Sequence, residues 1–341
     1  MGNILVTGGA GFIGSNLVKK LLQDPSVDHV YIVDSLTYAG NLLNLRGLPE
    51  DKFKLLVGDV TNGQLMNDVV SNVDFVFHLA AETHVTRSIY DNYQFFHTDV
   101  IGTQSVANAV LRQSSKRNKS LPLVHISTSE VYGTAMTPFM SEEHPLNPCS
   151  PYAAAKAGAD RLVYSYSSTY DLDAIIIRPF NQYGPHQHPE KLVSRFITSC
   201  ILGEPLNIHG DGAASRDWVH VDDTTSFLTS LLYKNLSKYR GEAFNIGSGK
   251  SESINNIFDI VVSYFPESVK NNIPERPGQV LRHTSDSSKA KEALGWNPIH
   301  NIRDSMSDVV SWYKANTDVW NSLILAKSVN IEIVPGVSFF H

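Results

Sequence analysis

The sequence is poor in the residues and patterns that mark several classes of protein. Only two of its 341 residues are cysteines, Cys149 and Cys200. Two are too few for a disulfide framework, and no spacing of cysteine and histidine resembles a zinc site. No apolar run approaches the roughly 20 residues of a membrane span, and no block of like charges suggests a nucleic-acid-binding arm. We therefore expect no metal site, no nucleic-acid partner and no membrane partner.

The amino terminus begins directly with a strand-like run and shows none of the charged and apolar regions of a secretory signal. Together with the low cysteine content, this indicates a protein of a reducing compartment, and we expect a cytoplasmic location. With 42% hydrophobic residues, the chain is long enough to bury a large core in about two domains.

Strand-like and helix-like segments alternate along the first half of the chain. Short apolar runs predict strands at residues 3–8, 30–34, 53–59, 74–81, 122–128 and 173–179. Helical patterns predict helices at residues 12–23, 94–113 and 151–170. Such alternation implies a parallel sheet with helices on both faces. We predict an α/β fold with a Rossmann-type doubly wound parallel sheet.

Beyond Asn181 the alternation gives way to irregular segments in which glycine and proline cluster. We therefore assign residues 1–180 to the Rossmann-type domain and residues 181–330 mainly to a smaller, discontinuous α/β substrate-binding domain. The apolar segment FNIGS, residues 244–248, predicts that part of residues 215–250 returns to the large sheet.

A glycine-rich turn, TGGAGFIG, lies between the first predicted strand and the first predicted helix. Gly8, Gly11 and Gly14 are spaced so that the backbone can turn tightly, approach a pyrophosphate and pack helix against strand. Asp34 ends the second predicted strand, where a carboxylate binds a ribose 2′-hydroxyl and repels a 2′-phosphate. The turn alone is weak evidence, but this context predicts a dinucleotide site that prefers NAD over NADP.

The segment SPYAAAK predicts the start of a helix, with Ser150 as N-cap and Pro151 in the first turn. Tyr152 and Lys156 are four residues apart and share one face of that helix. A nearby ammonium group lowers the pKa of a phenol and makes it a usable base near neutral pH. Such pairs are common on surfaces, but here the preceding strand ends in hydroxyl residues, including Thr128, that can bind the same substrate oxygen.

Several longer motifs resemble those of extended short-chain dehydrogenases/reductases. They are TGGAGFIG, LTYAGN, GDV, HLAAETHV, STSEVYG, SPYAAAK and NQYGPHQHPEKL. Within that family, the chain most resembles nucleotide-sugar 4,6-dehydratases of the dTDP-glucose and UDP-glucose type, over about residues 3–315. The resemblance implies an NAD-dependent lyase. Its substrate would be an NDP-hexose (UDP-glucose, dTDP-glucose or UDP-N-acetylglucosamine) and its product the 4-keto-6-deoxy sugar.

In such enzymes the sugar is oxidised at C4, water is eliminated across C5 and C6, and the hydride returns to C6. The resemblance makes Tyr152 the base for the 4-hydroxyl, Lys156 the residue that holds the nicotinamide ribose, and Thr128 a ligand of O4. Glu130 matches the base that removes the C5 proton. Together with Tyr152 and Lys156, the residues implied to bind NAD are Gly8, Gly11, Phe12, Ile13, Asp34, Ser35, Thr37, Gly40, Asp59, Val60, Leu79, Ala80, Ala81 and Thr98.

Ser129 departs from the family pattern, which has an aspartate before the glutamate to protonate the leaving 6-hydroxyl. A serine hydroxyl is not acidic enough for that role. Three interpretations follow: Glu130 serves twice in a syn elimination, Ser129 positions a proton-relaying water, or the chain is not an ordinary dehydratase.

The third interpretation includes a UDP-glucuronate decarboxylase and a nucleotide-sugar epimerase of the same family. The motifs around Tyr152 and along residues 184–197 favour a dehydratase. Two further classes are a protein that binds NAD without turnover and an oxidoreductase that releases NADH. The presence of Tyr152, Lys156 and Glu130 argues against the former, and accumulation of NADH would reveal the latter.

The same resemblance predicts residues that bind the nucleotide sugar: His84, Asn181, Lys191, Leu192, Asn207, His209, Arg216, Arg276 and Arg282. A guanidinium such as that of Arg216 suits a diphosphate. Asn207 and His209 lie in the segment that lines the base, and they do not distinguish uracil from thymine. Relatives usually dimerise through two helices, so we also predict a homodimer through residues 94–113 and 152–169.

Overall fold

The structure is a computed structural model that describes residues 2–275, 279–326, 330–334 and 337–340 of the chain. Seven strands form one parallel sheet in the order β10-β6-β5-β4-β1-β2-β3. The predicted α/β fold with a doubly wound parallel sheet is therefore confirmed. The strands are β1 (Gly2–Thr7), β2 (Val27–Asp34), β3 (Phe53–Val57), β4 (Phe75–His78), β5 (Leu123–Ile126), β6 (Ala174–Pro179), β7 (Asn181–Tyr183), β8 (Leu206–His209), β9 (Ser215–His220), β10 (Ala243–Ile246), β11 (Ser251–Ser253), β12 (Lys270–Ile273), β13 (Asn330–Val334) and β14 (Val337–Phe340).

Helices connect most of these strands, and a π-helical turn spans Phe96–Gly102. None of the helices in the described ranges combines the length and apolarity that a membrane crossing requires. The α-helices are α1 (Phe12–Leu21), α2 (Gly63–Val70), α3 (Val85–Tyr90), α4 (Asn92–Phe95), α5 (Thr103–Arg117), α6 (Pro151–Tyr170), α7 (Leu192–Leu202), α8 (Val221–Ser230), α9 (Ile254–Val262), α10 (Ser288–Leu294), α11 (Ile302–Ala315) and α12 (Thr317–Trp320). Single 3₁₀ turns span Leu42–Leu45, Ser129–Tyr132, Leu231–Tyr233, Leu236–Tyr239 and Asn321–Ala326.

The helix predicted over residues 94–113 is longer and less regular than expected. It consists of α4, the π-helical turn and α5, and it continues to Arg117. The wider turn carries Asp99 into the interior, where its Oδ1 accepts a hydrogen bond from the Glu82 amide at 2.8 Å. A helical pattern in a sequence does not reveal such an insertion, because the apolar period is nearly unchanged.

The order of the large sheet reverses at β1, because β2 and β3 lie on one side of it and β4 to β6 on the other. Loops at the carboxyl ends of the strands part at such a point and leave a crevice for ligands. The strands predicted to reach residues 59 and 81 end earlier, at Val57 and His78. After β4, the amides of Leu79 and Ala80 both donate to Thr7 Oγ1 at 3.2 Å, which draws the chain out of the sheet.

Apolar side chains alternate between the two faces of the large sheet. In β1, Ile4 and Val6 belong to one cluster of buried side chains and Leu5 to another. The first cluster includes residues of α1, α8 and α10, and the second includes residues of α2, α5 and α6. Because helices cover both faces, the strands are apolar almost throughout.

A third cluster of buried side chains lies outside the large sheet. It joins α7, α9 and α11 to a small sheet, β11-β9-β7, and to the parallel pair β12-β8. Tyr183, Trp218 and Tyr313 contribute large aromatic side chains to it. Between these elements in sequence, α8 and β10 pack on the large sheet, where β10 pairs with β6. The division of the chain into two domains stays a prediction.

A buried network of charged and polar groups connects β6 to α6 and to the turn after β5. Arg178 in β6 donates to both carboxylate oxygens of Asp160 in α6, at 2.8 and 2.9 Å. Its third nitrogen donates to the Tyr132 hydroxyl at 2.8 Å, and that hydroxyl donates to Asn245 Oδ1 in β10 at 2.7 Å. Burial raises the pKa of Asp160, but the hydrogen bonds and charges of Arg178 and, after it, Arg161 together outweigh burial, and the pKa is lowered.

Replacing Arg178 with methionine should lower the free energy of unfolding by about 3–5 kcal/mol, because Asp160 would become a buried charge without its main partner. Arg161 also contacts Asp160, at 2.6 Å, but its side chain is 45% exposed. The matched change Arg161→Met should therefore cost less than about 1 kcal/mol. Urea unfolding followed by circular dichroism measures both values, and equal losses would contradict this interpretation of the network.

Candidate active site

A cleft with a volume of about 420 Å³ opens at the carboxyl ends of the large sheet. Its walls come from the turns after β1, β2, β4 and β5, from α6, and from the segments around β7, β8 and β9. Such a volume is typical of small-molecule sites. All the residues predicted to bind NAD line it: Gly8, Gly11, Phe12, Ile13, Asp34, Ser35, Thr37, Gly40, Asp59, Val60, Leu79, Ala80, Ala81, Thr98, Tyr152 and Lys156.

The turn between β1 and α1 is shaped for close approach of a ligand. Gly8 has a φ of +70°, a conformation that residues with side chains rarely adopt. A Cβ atom on Gly14 would overlap the carbonyl oxygen of Gly8. Helix α1 begins after Gly11, which has no side chain to cap the first amides, so the positive end of this helix faces the cleft as a phosphate site.

Asp34 ends β2 beside this turn. Its carboxylate accepts hydrogen bonds from the Ala10 amide at 2.9 Å and the Leu36 amide at 2.8 Å. Burial raises the pKa of Asp34, and the two amides oppose the shift. A fixed carboxylate next to an uncapped helix end provides the two groups that a dinucleotide requires, one for a ribose diol and one for the pyrophosphate. These residues therefore fit NAD.

The structure brings together all five residues predicted to be catalytic. Thr128, Ser129 and Glu130 follow β5, and the Thr128 hydroxyl accepts a hydrogen bond from the Glu130 amide at 3.2 Å. Tyr152 and Lys156 lie in the first two turns of α6. All five line the same cleft as the glycine turn. Their chemical roles stay predictions.

Lys156 is held at the base of the cleft by a hydrogen bond from its Nζ to the carbonyl oxygen of Ile126, at 2.7 Å. Burial lowers the pKa of Lys156, and the carboxylates of Asp99 and Asp160 oppose the shift. Burial raises the pKa of Asp99 to about 7, although Lys156 opposes it. Asp99 could not be singled out from the sequence, because the π-helical turn that carries it into the interior leaves no clear local pattern.

The pKa of Tyr152 differs from the sequence-based expectation. Burial raises this pKa, a hydrogen bond with Thr128 opposes the shift, and the carboxylates of Asp99 and Glu130 raise it further. The prediction that Lys156 gives Tyr152 a lowered pKa is therefore wrong. The physical reason is that burial of the phenol dominates, while the Lys156 ammonium donates to a backbone carbonyl.

Ser129 contacts a residue that the sequence did not single out. Its Oγ lies 3.3 Å from Nδ1 of His283, and Nε2 of the same ring lies 2.7 Å from the carbonyl oxygen of Gly133. Both side chains are buried. Ser129 and His283 are 154 residues apart in the chain, so no local pattern could have predicted the pair.

The buried carboxylate of Glu190 also lines the cleft. Glu190 was not among the residues predicted from the sequence. The Tyr38 hydroxyl donates to it at 3.1 Å, and Lys191 Nζ lies 3.2 Å away. His84 Nε2 and Arg87 Nε lie 3.6 and 3.8 Å from its other oxygen. The motif NQYGPHQHPEKL contains Glu190 and Lys191, but Tyr38, His84 and Arg87 come from distant segments. The carboxylate holds His84 and Lys191 in the cleft wall.

Of the nine residues predicted to bind substrate, seven line the cleft: His84, Asn181, Lys191, Leu192, Asn207, His209 and Arg216. Arg282 does not, because its exposed guanidinium donates to the carbonyl oxygen of Thr137 at 2.9 Å. Its backbone lies beside Ser215, and the neighbouring His283 is the residue that points inward. The prediction for Arg282 is therefore wrong. Arg276 lies outside the described residues. The lining also includes Gln187, Arg195, Trp218 and Gln279, which were not predicted.

His220, Asp222 and His300 come together outside the cleft in a geometry that could hold a metal ion. Their hydrogen bonds point to a structural role. His220 Nδ1 accepts from the Asp222 amide at 3.2 Å and caps α8, so the hydrogen of a neutral ring is on Nε2 and no lone pair remains for a metal. His300 Nδ1 pairs with Asp223 at 2.7 Å.

Comparison with known proteins agrees with this arrangement. The family model described as GDP-mannose 4,6 dehydratase matches residues 5–309. The chain belongs to this family. The comparisons confirm the family resemblance predicted from the sequence, and with it the predicted class, the NAD-dependent nucleotide-sugar 4,6-dehydratases.

Individual relatives cover nearly the whole chain. The low-salt glycan biosynthesis protein Agl12 of Haloferax volcanii is 40% identical over 91% of this chain and 98% of its own length. A dTDP-glucose 4,6-dehydratase of Actinoplanes is 38% identical over 93% and 99%. The crystal structure of DesIV, a dTDP-glucose 4,6-dehydratase from Streptomyces venezuelae with NAD bound, is 37% identical, with a TM-score of 0.88 over 94% of this chain and 99% of DesIV.

Gly14→Ala should weaken NAD binding about tenfold, since overpacking costs of about 1–3 kcal/mol are typical and the added methyl group would overlap the Gly8 carbonyl. Gly63, the first residue of α2, is a matched control because a Cβ there would meet only Ser105 Oγ, at 3.8 Å. Gly63→Ala should leave binding unchanged. Isothermal titration of protein freed of nucleotide measures both affinities. If Gly14→Ala bound NAD as well as Gly63→Ala, the glycine turn would not be the cofactor cradle.

Proposed function

We propose that this chain is an NAD-dependent dehydratase that converts dTDP-glucose into its 4-keto-6-deoxy sugar and water. One observation carries the proposal: the glycine turn with Asp34 and the group Thr128, Glu130, Tyr152 and Lys156 line a single cleft. The dTDP-glucose 4,6-dehydratases among the relatives support this nucleotide. UDP-glucose and UDP-N-acetylglucosamine are the competing substrates.

In the first step, Tyr152 takes the proton of the sugar 4-hydroxyl while Thr128 holds O4. NAD, which the glycine turn and Asp34 would hold, would supply a hydride acceptor for C4 and a hydride donor for C6. Lys156, fixed by the Ile126 carbonyl, places a positive charge beside the nicotinamide ribose. Because burial raises the pKa of Tyr152, its basic form is favoured at alkaline pH, and this step should accelerate as pH rises.

In the second step, the new 4-ketone acidifies the hydrogen on C5. Glu130 follows Thr128, the ligand of O4, by two residues and lines the same cleft, so it is the carboxylate placed to remove that proton. The hydroxyl on C6 then leaves as water. General-base catalysis of this kind contributes about 10²–10⁴ to a rate.

The diphosphate of the substrate requires positive charge, and the cleft wall provides it. Lys191, Arg195 and Arg216 all line the cleft. Arg216 is buried in β9, where a guanidinium can bind phosphate oxygens in a bidentate manner. Asn207 and His209, in β8, line the region where we place the base.

Incubation of the purified protein with dTDP-glucose, UDP-glucose, UDP-N-acetylglucosamine and UDP-glucuronate, without added cofactor, tests the proposal. Mass spectrometry should show loss of one water from dTDP-glucose in preference to the others. Loss of carbon dioxide from UDP-glucuronate, an epimer of unchanged mass, or stoichiometric release of NADH would each replace the proposed reaction with one of its rivals.

Glu130→Gln should lower turnover by about 10²–10⁴, because the variant still oxidises C4 but cannot remove the C5 proton. Reduced nicotinamide should therefore accumulate on the enzyme and be visible by its absorbance. Glu143 is a suitable control because it is an exposed glutamate in the loop that precedes α6, and Glu143→Gln should turn over normally. Normal turnover in Glu130→Gln would remove Glu130 from the mechanism.

The predicted homodimer is part of this proposal. Large apolar side chains are exposed on, or just before, the two segments expected to form the interface, residues 94–113 and 152–169: Tyr90, Tyr93, Phe96, Ile101 and Tyr164. They lie on α3, α4, the π-helical turn and α6, and these elements contact one another. A second copy of the chain would cover this surface.

Sedimentation at micromolar concentration should show a dimer. Tyr93 is 71% exposed on α4. Tyr93→Asp should shift the protein toward the monomer, because dimerisation would bury a charge at the interface. Ile299 is 76% exposed and lies between α10 and α11, so Ile299→Asp should remain dimeric. A monomeric wild type would rule out the dimer.

We further propose that residues 1–180, with part of 215–250, form the NAD-binding domain and that residues 181–330 mainly bind the nucleotide sugar. The glycine turn and Asp34 in the former, and Lys191 and Arg216 in the latter, support this division. A cytoplasmic location also belongs to the proposal, and the two cysteines are free thiols.

A further inference from the structure

The buried pair formed by Ser129 and His283 is a feature of the site that the proposed mechanism does not use. Ser129 lines the cleft, and its Oγ lies 3.3 Å from His283 Nδ1. His283 is fully buried and is not among the residues that line the cleft. Ser129 is therefore the cleft residue to which His283 is linked by a hydrogen bond.

The second hydrogen bond of His283 decides which nitrogen carries its hydrogen. Nε2 lies 2.7 Å from the carbonyl oxygen of Gly133. A carbonyl oxygen only accepts hydrogen bonds, so Nε2 must be the donor. In a neutral ring Nδ1 then has a lone pair, and the Ser129 hydroxyl must donate its hydrogen to Nδ1.

The surroundings of His283 favour the neutral ring. Burial lowers the pKa of His283. The Glu130 and Asp217 carboxylates and the Gly133 carbonyl raise it, whereas the Arg216 guanidinium lowers it, and burial dominates. The ring of Phe180 covers His283 edge-on, with the ring centres 6.0 Å apart. At neutral pH, His283 is therefore a hydrogen-bond acceptor toward Ser129.

We propose that His283 is a positioning residue for the elimination step: it holds the hydrogen of the Ser129 hydroxyl, so that Ser129 offers only oxygen lone pairs to the cleft and Glu130 alone carries protons. This inference rests on the proposed function. Ser129 accepts the hydrogen of the sugar 6-hydroxyl and thereby turns a lone pair of O6 toward Glu130. Of the three interpretations of Ser129, this selects the one in which Glu130 serves twice.

The elimination balances with these groups alone. Glu130 removes the proton from C5, and the electrons of that C–H bond form the C5–C6 double bond. The C6–O6 bond breaks with its electron pair on oxygen, and Glu130 transfers the same proton to O6, which leaves as water. Glu130 is a carboxylate again, and Ser129 has kept its hydrogen. The proton that C5 regains later comes from solvent.

The protonation state and tautomer of the His283 imidazole can be measured without substrate. Long-range ¹H–¹⁵N spectra of histidine-labelled protein at neutral pH should show a neutral ring with its hydrogen on Nε2, assigned to His283 by its absence from His283→Asn. A charged ring, or a hydrogen on Nδ1, would overturn the inference because Ser129 would then be free to donate toward the sugar.

Kinetics test whether His283 acts through Ser129. Ser129→Ala and His283→Gln should each lower kcat about tenfold, the effect of one hydrogen bond lost at the transition state. KM should stay within about twofold and reduced nicotinamide should accumulate, because only the elimination is affected. The double variant should be no slower than the slower single variant, since both changes remove the same interaction.

His283→Asn provides a conservative rescue, because the side-chain oxygen of asparagine can take the place of Nδ1 as the acceptor for Ser129. A glutamine side chain can accept from Ser129 only if it loses the hydrogen bond to the Gly133 carbonyl. His283→Asn should be several-fold faster than His283→Gln. Multiplicative losses in the double variant, a wild-type rate in His283→Gln, or equal rates in the two His283 variants would each contradict the inference. If the wild type dehydrates no nucleotide hexose, the proposed function fails and the inference falls with it; if only the variants disagree, the function stands.

Discussion

The Arg178 guanidinium is the constraint on which the geometry of the site depends. Its fork binds Asp160 on α6, one helical turn beyond Lys156, and its third nitrogen binds Tyr132, at the end of the turn that carries Thr128 to Glu130. Helix α6 and that turn supply all the residues proposed to act on the sugar. Because Arg178 is buried, a shift of either element would leave a charged group without its partner. The position of the phenol relative to the carboxylate is therefore set by a charge network rather than by apolar packing alone.

In and beside the cleft, burial is the main influence on the pKa values of Asp99, Tyr152 and Lys156. Burial raises the pKa of Asp99 and of Tyr152 and lowers the pKa of Lys156. In all three residues it therefore favours the neutral form. The Ser129–His283 pair follows the same logic, since a buried neutral histidine is an acceptor and sets the direction of the serine hydroxyl. The position where the family resemblance predicts an acid is thus occupied by a hydroxyl, and His283 sets the direction of that hydroxyl.

The sequence predicted what depends on local pattern. The parallel sheet follows from apolar runs alternating with helices, and the glycine turn, Asp34, Thr128, Glu130, Tyr152 and Lys156 come from short motifs whose spacing reflects the geometry of one strand end or one helix turn. It did not predict what depends on distant segments or on burial. His283 reaches Ser129 across 154 residues, Glu190 is contacted by residues from two distant segments, Tyr38 and the pair His84 and Arg87, and the pKa of Tyr152 is governed by its surroundings. Arg282 was misplaced because one step along an extended segment exchanges the inward and outward residues.

In the proposed reaction, one active site oxidises C4, eliminates water and reduces C6 of the same sugar molecule. Turnover of dTDP-glucose deuterated at C4, in a mixture with unlabelled substrate and without added NAD, tests it most directly. Deuterium should appear in the C6 methyl group of the same product molecules that carried it at C4. Loss of the label to free cofactor, its transfer to unlabelled sugars, or a product that retains both deuterium at C4 and oxygen at C6 would contradict it.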